Sequence, residues 1–219
     1  MKVKIASYNV RHCAEGIEAV AAVLRNLGAQ IVGVQEIDQN NDRSPEDQPA
    51  LLAAAAGFPY YRFCPAIDYK GGKYGTLILS VFPIESFAAE LLFSGEKEGR
   101  AVGHAVLQTP AGNVDFFNTH LSYEAKELRD VQFAELAKMM ALCPSAILTG
   151  DFNTQDFAEF APLGDVTLCN RADRRMVTFP GHQIAIDNII FPKNWRELDA
   201  GTVTDSHSDH YLLWTEVEL

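Results

Sequence analysis

The chain has 219 residues, 47% apolar and 21% charged, with a formal net charge of −11 at pH 7. That is enough length and apolar content for a sizeable core, and it excludes a disordered tail-like chain. The acidic balance argues against broad electrostatic grip on polynucleotides, and no apolar run, Leu51 to Phe58 included, is long enough to span a bilayer.

The chain opens as a strand, with Val3, Ile5 and Ser7 alternating up to Asn9. No signal-peptide pattern accompanies it, so the sequence reads as cytoplasmic. Ile17, Val20, Ala21, Leu24 and Leu27 then mark a helical stripe, and Gly28 suits its C-terminal cap. A buried strand, AQIVGVQE, ends at Glu36, and the polar segment that follows predicts a loop. Ala50 to Ala56 reads as a short helix stopped by Gly57, and Tyr60 to Cys64 as a strand. DYKGGKYG reads as a glycine-rich turn before the strand TLILS.

Further strands are predicted near Phe87–Phe93, Ala101–Gln108 and Val114–Thr119, and the longest helix over Ala125–Leu142. AILTGDFN, IAIDNIIF and YLLWTEVEL supply the remaining strands. There is no repeat of fixed period and no linker-like segment, so residues 1–219 read as one domain. Many strands with few helices suggest an α/β fold of two packed sheets with helices outside. Cys13, Cys64, Cys143 and Cys169 have no metal-like or disulfide-like spacing and read as free thiols. His12, His104 and His182 read as surface or satisfied structural residues.

One regularity stands out: apolar strands repeatedly end in residues that are costly to bury. These are Asn9, Glu36, Asn118 with His120, Asp151 with Asn153, and Asp209 with His210; Asp187 lies inside an apolar strand. Singly, such residues cap strands and shape turns. Asp187 and Glu36 resist that reading, because an unpaired carboxylate in an apolar strand is expensive. Together they supply carboxylates, amides and imidazoles with little Lys or Arg, which suits a hard divalent cation and acid–base chemistry.

SYNVR, VGVQEID, KYGTLILSVFPI, FFNTHL, LTGDFNT, IDNIIF and SDHYLLW stand in this order along nearly the whole chain. They resemble the endonuclease/exonuclease/phosphatase superfamily, whose fold is a DNase I-like four-layer α/β/β/α sandwich of mostly antiparallel sheets. The segment QEID followed by Arg43 and Gln48 resembles a bacterial branch with a QE(V/I)D motif. The resemblance implies Mg2+, with Mn2+ as a substitute, held by Glu36 with Asn9 and Asp209. It implies catalytic roles for His120, Asp151, Asn153, Asp187 and His210: Asp151 to activate water, Asn153 and the histidines to meet the phosphoryl group, and Asp187 to hold His210.

Arg43, Tyr74 and Arg100 are candidate substrate contacts. A relative lacking Thr76 would commonly carry Asn there, and Arg11 stands where some members have an acidic residue. The expected activity is hydrolysis of a small or headgroup-like phosphodiester or phosphomonoester by a monomer. A nuclease is the alternative enzyme, and an inactive phosphate-binding module the alternative without catalysis. In TDSHSDHYLLW, Asp209 and His210 are the functional pair, and Asp205, Ser206 and His207 the loop presenting them.

Overall fold

Alternation and helical stripes in the sequence resolve into twelve strands and three α-helices in a computed structural model, which describes residues 1–219. The first half contains β1 (Lys2–Asn9), α1 (Ile17–Leu27), β2 (Ile31–Gln39), α2 (Gln48–Ala56), β3 (Tyr60–Tyr69), β4 (Gly72–Ser80) and β5 (Ile84–Leu92). The second contains β6 (Arg100–Thr109), β7 (Gly112–His120), α3 (Lys126–Met140), β8 (Ala146–Asp151), β9 (Val166–Leu168), β10 (Asp187–Pro192), β11 (Arg196–Val203) and β12 (Leu212–Glu218).

The strands form two six-stranded mixed sheets, ordered β11-β12-β1-β2-β4-β3 and β5-β6-β7-β8-β10-β9. In each, only the central pair is parallel, β1 with β2 and β7 with β8. A parallel pair needs a crossover, and α1 and α3 supply them. Three apolar clusters give the layers. Tyr8, Leu24, Leu52 and Leu77 lie between the first sheet and α1/α2. Ile5, Ile78, Phe116 and Phe191 lie between the sheets. Phe117, Phe133, Leu148 and Phe152 lie under α3. The order is α/β/β/α, a DNase I-like sandwich.

Local chemistry explains the helix ends. Gly28 and Gly57 close α1 and α2 in the left-handed conformation, and Asp47 caps α2 by accepting from the Ala50 amide. Three expectations change. Asp187 opens β10 rather than lying inside its strand, because the Ile186 and Asp187 amides bond to the Thr178 hydroxyl instead of a sheet neighbour. DYKGGKYG is mostly strand: only Lys70 (φ 43) and Gly71 (φ 85) turn, in a tight β3–β4 hairpin whose paired positive φ values match the strand twist. β11 had no sequence signal, because an edge strand half-open to solvent needs no apolar alternation. No helix is long and apolar enough to cross a membrane.

The sheets approach closely at Gly33 on β2. Gln35 Nε2 donates to Asn118 Oδ1 across the gap (2.7 Å) and to Ser7 Oγ (3.2 Å). Asn118 Nδ2 donates to the Val34 and Leu77 carbonyls (2.9 and 3.1 Å), and Thr149 Oγ1 donates to Asn118 Oδ1 (3.0 Å). A Cβ on Gly33 would fall 2.5 Å from Asn118 Oδ1 and closer still to the Thr149 hydroxyl. Gly33→Ala should therefore overpack this seam, costing about 1–3 kcal/mol and lowering Tm by roughly 2–12 °C in a thermal melt. An unchanged Tm would show that the seam is slack.

Candidate active site

Strand polarity gathers the polar strand ends. Three of the parallel strands end in Asn9 (β1), His120 (β7) and Asp151 (β8), and Glu36 lies within β2 just past its last pairing with β1, while their antiparallel neighbours begin at Asp187 (β10) and just after His210 (β12). Asp187 is directly paired with Asp151, and His120 with Asp151. All six side chains thus meet at one edge of the sandwich.

The backbone is locally strained to do this. The β2–β4 register slips between Val34 and Ile37, and Glu36 has φ 58. This bulge directs Gln35 into the inter-sheet network and Glu36 to the edge. A non-glycine residue there stores about 1–3 kcal/mol. Asn153 adopts φ 52 after β8, a conformation Asn tolerates, and its amide donates to Asp151 Oδ1 (3.0 Å). Beyond Asn9, residues Arg11, His12 and Cys13 form a short left-handed turn. Ser208 Oγ donates to the Asn9 carbonyl (2.8 Å) and Ser206 Oγ to the His210 carbonyl (2.6 Å), so the serines of TDSHSDH brace the loop that carries His210.

The side chains form one buried network. Asn9 Nδ2 donates to Glu36 Oε1 and to Asp151 Oδ2, each at 3.0 Å, while its oxygen accepts from the Arg11 amide (3.0 Å). A flipped carboxamide would turn an acceptor toward two carboxylates. As oriented, Asn9 bridges the sheets and stands beside Glu36. His210 Nδ1 pairs with Asp187 Oδ2 (2.8 Å), and its Nε2 lies 3.6 Å from Asp151 Oδ2. His120 Nε2 lies at the same 3.6 Å from Asp151 Oδ2 and accepts from Asn153 Nδ2 (3.0 Å).

These contacts separate the charges of the two imidazoles. Burial alone would depress His210, but Asp187 and Asp151 outweigh it and push it up to about 10, so the ring is an imidazolium. His120 is driven well below its ordinary value by burial and by the charges of Arg100 and His210, so it is neutral. Asp151 is raised to about 7 by burial and by Asp187, against the pull of His210. Burial also raises Glu36, with the Asn9 bond opposing it.

A cavity of about 320 Å³ opens over this network, floored by Glu36, His120, Asp151, Asn153 and His210. Asp209 and Arg100 stand on its walls. Arg100 is buried and holds Glu98 through Nη1 (2.8 Å), while its Nε has no partner. Asp209 lies 3.6 Å from Arg11 Nε. Tyr74, Tyr123, Phe179 and Ile186 complete the wall, and the Phe179 ring leans on His210 with centroids 4.7 Å apart. A larger cleft of about 490 Å³ lies at the opposite edge, where β8 begins and β10 ends. It lacks any such network, and its Asp165 and Lys193 pair with each other (2.6 Å).

The structure therefore brings together Asn9, Glu36, Tyr74, Arg100, His120, Asp151, Asn153, Asp187, Asp209 and His210. Arg43 stands apart from the cavity wall. Its guanidinium holds the fully buried Asp38 through Nε and Nη2 (2.7 and 2.8 Å) and lies over the Tyr69 and Tyr74 rings. It reaches the site only by backing Tyr74. Gln48 likewise serves the scaffold, accepting from the Asp38 amide (3.0 Å) and donating to the His12 carbonyl (2.8 Å). Glu98, Tyr123 and Phe179 carry no sequence signal, because they reach the wall from loops rather than strand ends.

A two-sheet sandwich with carboxylates and imidazoles converging on one edge defines the DNase I-like class. The chain belongs to the Endonuclease/Exonuclease/phosphatase family, whose profile matches residues 6–210; members are phosphoesterases and nucleases. Comparison with curated protein sequences gives no match. Among solved structures, the chain resembles an endonuclease/exonuclease/phosphatase from Beutenbergia cavernae (TM-score 0.88, 18% identity, covering 100% of this chain and 72% of that one). It also resembles a mannosyl-6-phosphatase from Bacteroides thetaiotaomicron (0.77, 20%, 99% and 100%). A third is D. rerio TDP2 complexed with a single-strand DNA product (0.77, 16%, 100% and 99%). At these identities the likeness establishes the fold.

Two measurements probe this arrangement. Because its folded pKa is raised, His210 contributes stability that is full below its ordinary value of 6.5 and is lost as pH rises through about 10. Asp187→Asn removes the leading charge that holds it there, so NMR should show the His210 ring titrating lower; an unmoved midpoint would contradict the pairing. Arg43→Ala leaves a buried carboxylate unpaired and should lose about 3–5 kcal/mol in urea unfolding. Asp38→Asn in the same chain should recover part of that loss.

Proposed function

We propose that the chain is a divalent-metal-dependent phosphoesterase that hydrolyses a small or headgroup-like phosphoester by in-line attack of water. The carrying observation is Asp151, raised to about 7 and placed 3.6 Å from one cationic and one neutral imidazole on the floor of an open cavity.

A hard cation fits the residues present. Glu36 and Asp209 both border the cavity, the wall holds no thiol or lysine, and the half-buried Glu36 carboxylate presents a hard oxygen donor there. Glu36 and Asp209 would hold Mg2+ or Mn2+, which when bound would offset the charge of the phosphoryl group. Asn9 fixes the Glu36 carboxylate and ties it to Asp151. Asp151 accepts the proton of the attacking water, a task that suits a base poised near neutrality. The His210 imidazolium, kept charged by Asp187, donates to a phosphoryl oxygen as negative charge develops. Asn153 orients neutral His120 and, together with it, meets the phosphoryl group. Arg100, on the cavity wall, is the candidate contact for a substrate oxygen.

Substrate size follows from the charges. Arg100 is balanced by Glu98 and Arg11 by Asp209, so no free basic track leads along a polyanion. A nuclease is the second reading, favoured by Tyr123, which is exposed, and Phe179, two aromatic faces at the cavity on which a base could stack.

Metal-stripped protein should regain turnover of p-nitrophenyl phosphate or its bis ester with Mg2+ or Mn2+, and do so faster than it cleaves plasmid or single-stranded DNA. His210→Ala should lower turnover by about 10²–10⁴-fold. Glu36→Ala should do the same and also weaken Mn2+ binding by calorimetry. Either variant working at the wild-type rate would sink the mechanism.

A further inference from the structure

The outer face of the second sheet is only partly covered. α3 packs over β7 and β8, and a cavity of about 280 Å³ runs along its margin. Glu90, Val102, His104 and Phe117 form the sheet side of this cavity, and Met139, Leu142 and Cys143 the side at the end of α3. Three donors meet beside it, His104 and Cys143 from its lining and Asp115 from β7 next to them. His104 Nε2 lies 2.7 Å from Asp115 Oδ1, and the ligand atoms of His104, Asp115 and Cys143 all lie within 4.8 Å of one another.

Register accounts for the placement. His104 faces Phe117 across β6–β7, so Asp115, two residues before Phe117, falls on the same face. Cys143 enters from the turn after α3. The His104 ring is stacked on Phe117 with centroids 4.1 Å apart and planes 7° from parallel, which fixes its direction. All three residues are half-buried, and His104 and Cys143 border the cavity from which an ion would enter.

We propose that His104, Asp115 and Cys143 form a second cation site, for a borderline metal of the Zn2+ class, that clips the end of α3 to the sheet. An imidazole, a carboxylate and a thiolate suit Zn2+ and not Mg2+. The fourth position faces the cavity, where Glu90 or water completes a tetrahedron. On binding, the Cys143 proton leaves to solvent and the imidazole proton moves from Nε2 to Nδ1, so that Nε2, the carboxylate and the thiolate meet the ion. A nucleophilic role fits less well: burial and Asp115 push the thiol up to about 11, so without a cation it stays protonated.

Co2+ added to metal-stripped protein tests this without an activity assay. The phosphoesterase cavity has no thiol and Cys13, Cys64 and Cys169 are buried, so a near-ultraviolet thiolate-to-cobalt charge-transfer band lost in Cys143→Ser reports Cys143. The band should saturate, disappear on addition of Zn2+, and be absent in Cys143→Ser and His104→Ala. Asp115→Asn keeps a hydrogen-bond partner for His104 and should weaken binding at least about tenfold. Zn2+ should raise Tm in the wild type and in Glu36→Ala but not in Cys143→Ser. No band at saturating Co2+, or a band that survives Cys143→Ser, would overturn the proposal.

Discussion

Everything at the site hangs on the Asn118 carboxamide, which fills the gap that Gly33 leaves between the sheets. Its nitrogen holds two carbonyls of the first sheet, and its oxygen accepts from Gln35 of that sheet and Thr149 of its own. Polar groups this deep are costly unless satisfied, so only one relative placement of the sheets is favourable. Gln35 immediately precedes Glu36, and Asn118 comes two residues before His120. The seam therefore sets the positions of side chains contributed by both sheets before any ligand arrives, which is the preorganisation that catalysis needs.

Above the seam the electrostatics are deliberately unbalanced. Glu36, Asp151 and Asp187 are carboxylates largely removed from water, and His210 is the imidazolium among them. Nearby Arg100 is shared with Glu98. Burial raises both Glu36 and Asp151, and Asp187 adds to the rise of Asp151, against the pull of His210. Local strain accompanies it, in Glu36 and in the left-handed Arg11–Cys13 turn, whose residues each cost about 1–2 kcal/mol. Gln48, tied to the Asp38 amide and the His12 carbonyl, holds that turn in place. Stability has been given up where chemistry requires charge and geometry, a pattern typical of functional sites.

Much of this was legible in the sequence for a physical reason: a carboxylate or amide in an apolar strand is anomalous wherever it occurs. Asn9, Glu36, Asp151 and Asp187 were visible on that ground, and strand polarity carries them to one edge. What the pattern hides is commitment to partners. Arg43 looks like a free cation until Asp38 is found buried beneath it. The amide orientation of Asn9 depends on Asp151, which lies on the other sheet. Glu98, Tyr123 and Phe179 sit on loops, where no periodicity constrains them. The His104–Asp115–Cys143 cluster has no motif spacing, because a strand pairing and a helix end assemble it.

The two sheets also have the same construction, which no period in the sequence shows. β12-β1-β2-β4-β3 and β6-β7-β8-β10-β9 match strand for strand in order and in parallel or antiparallel sense. Equivalent ends carry equivalent kinds of group. Asp151 closes the second strand of its parallel pair and Glu36 lies just past the paired stretch of the other, Asn9 and His120 close the first strands, while His210 and Arg100 stand at the start of the flanking strand. The halves then diverge through local geometry. The bulge in β2 turns Glu36 toward the cavity, where a cation can reach it. Asp151, on an unbulged strand, stays between two imidazoles and opposite Asp187. The two carboxylates thus stand in different surroundings, and the Asn9 amide that bonds to both ties them together.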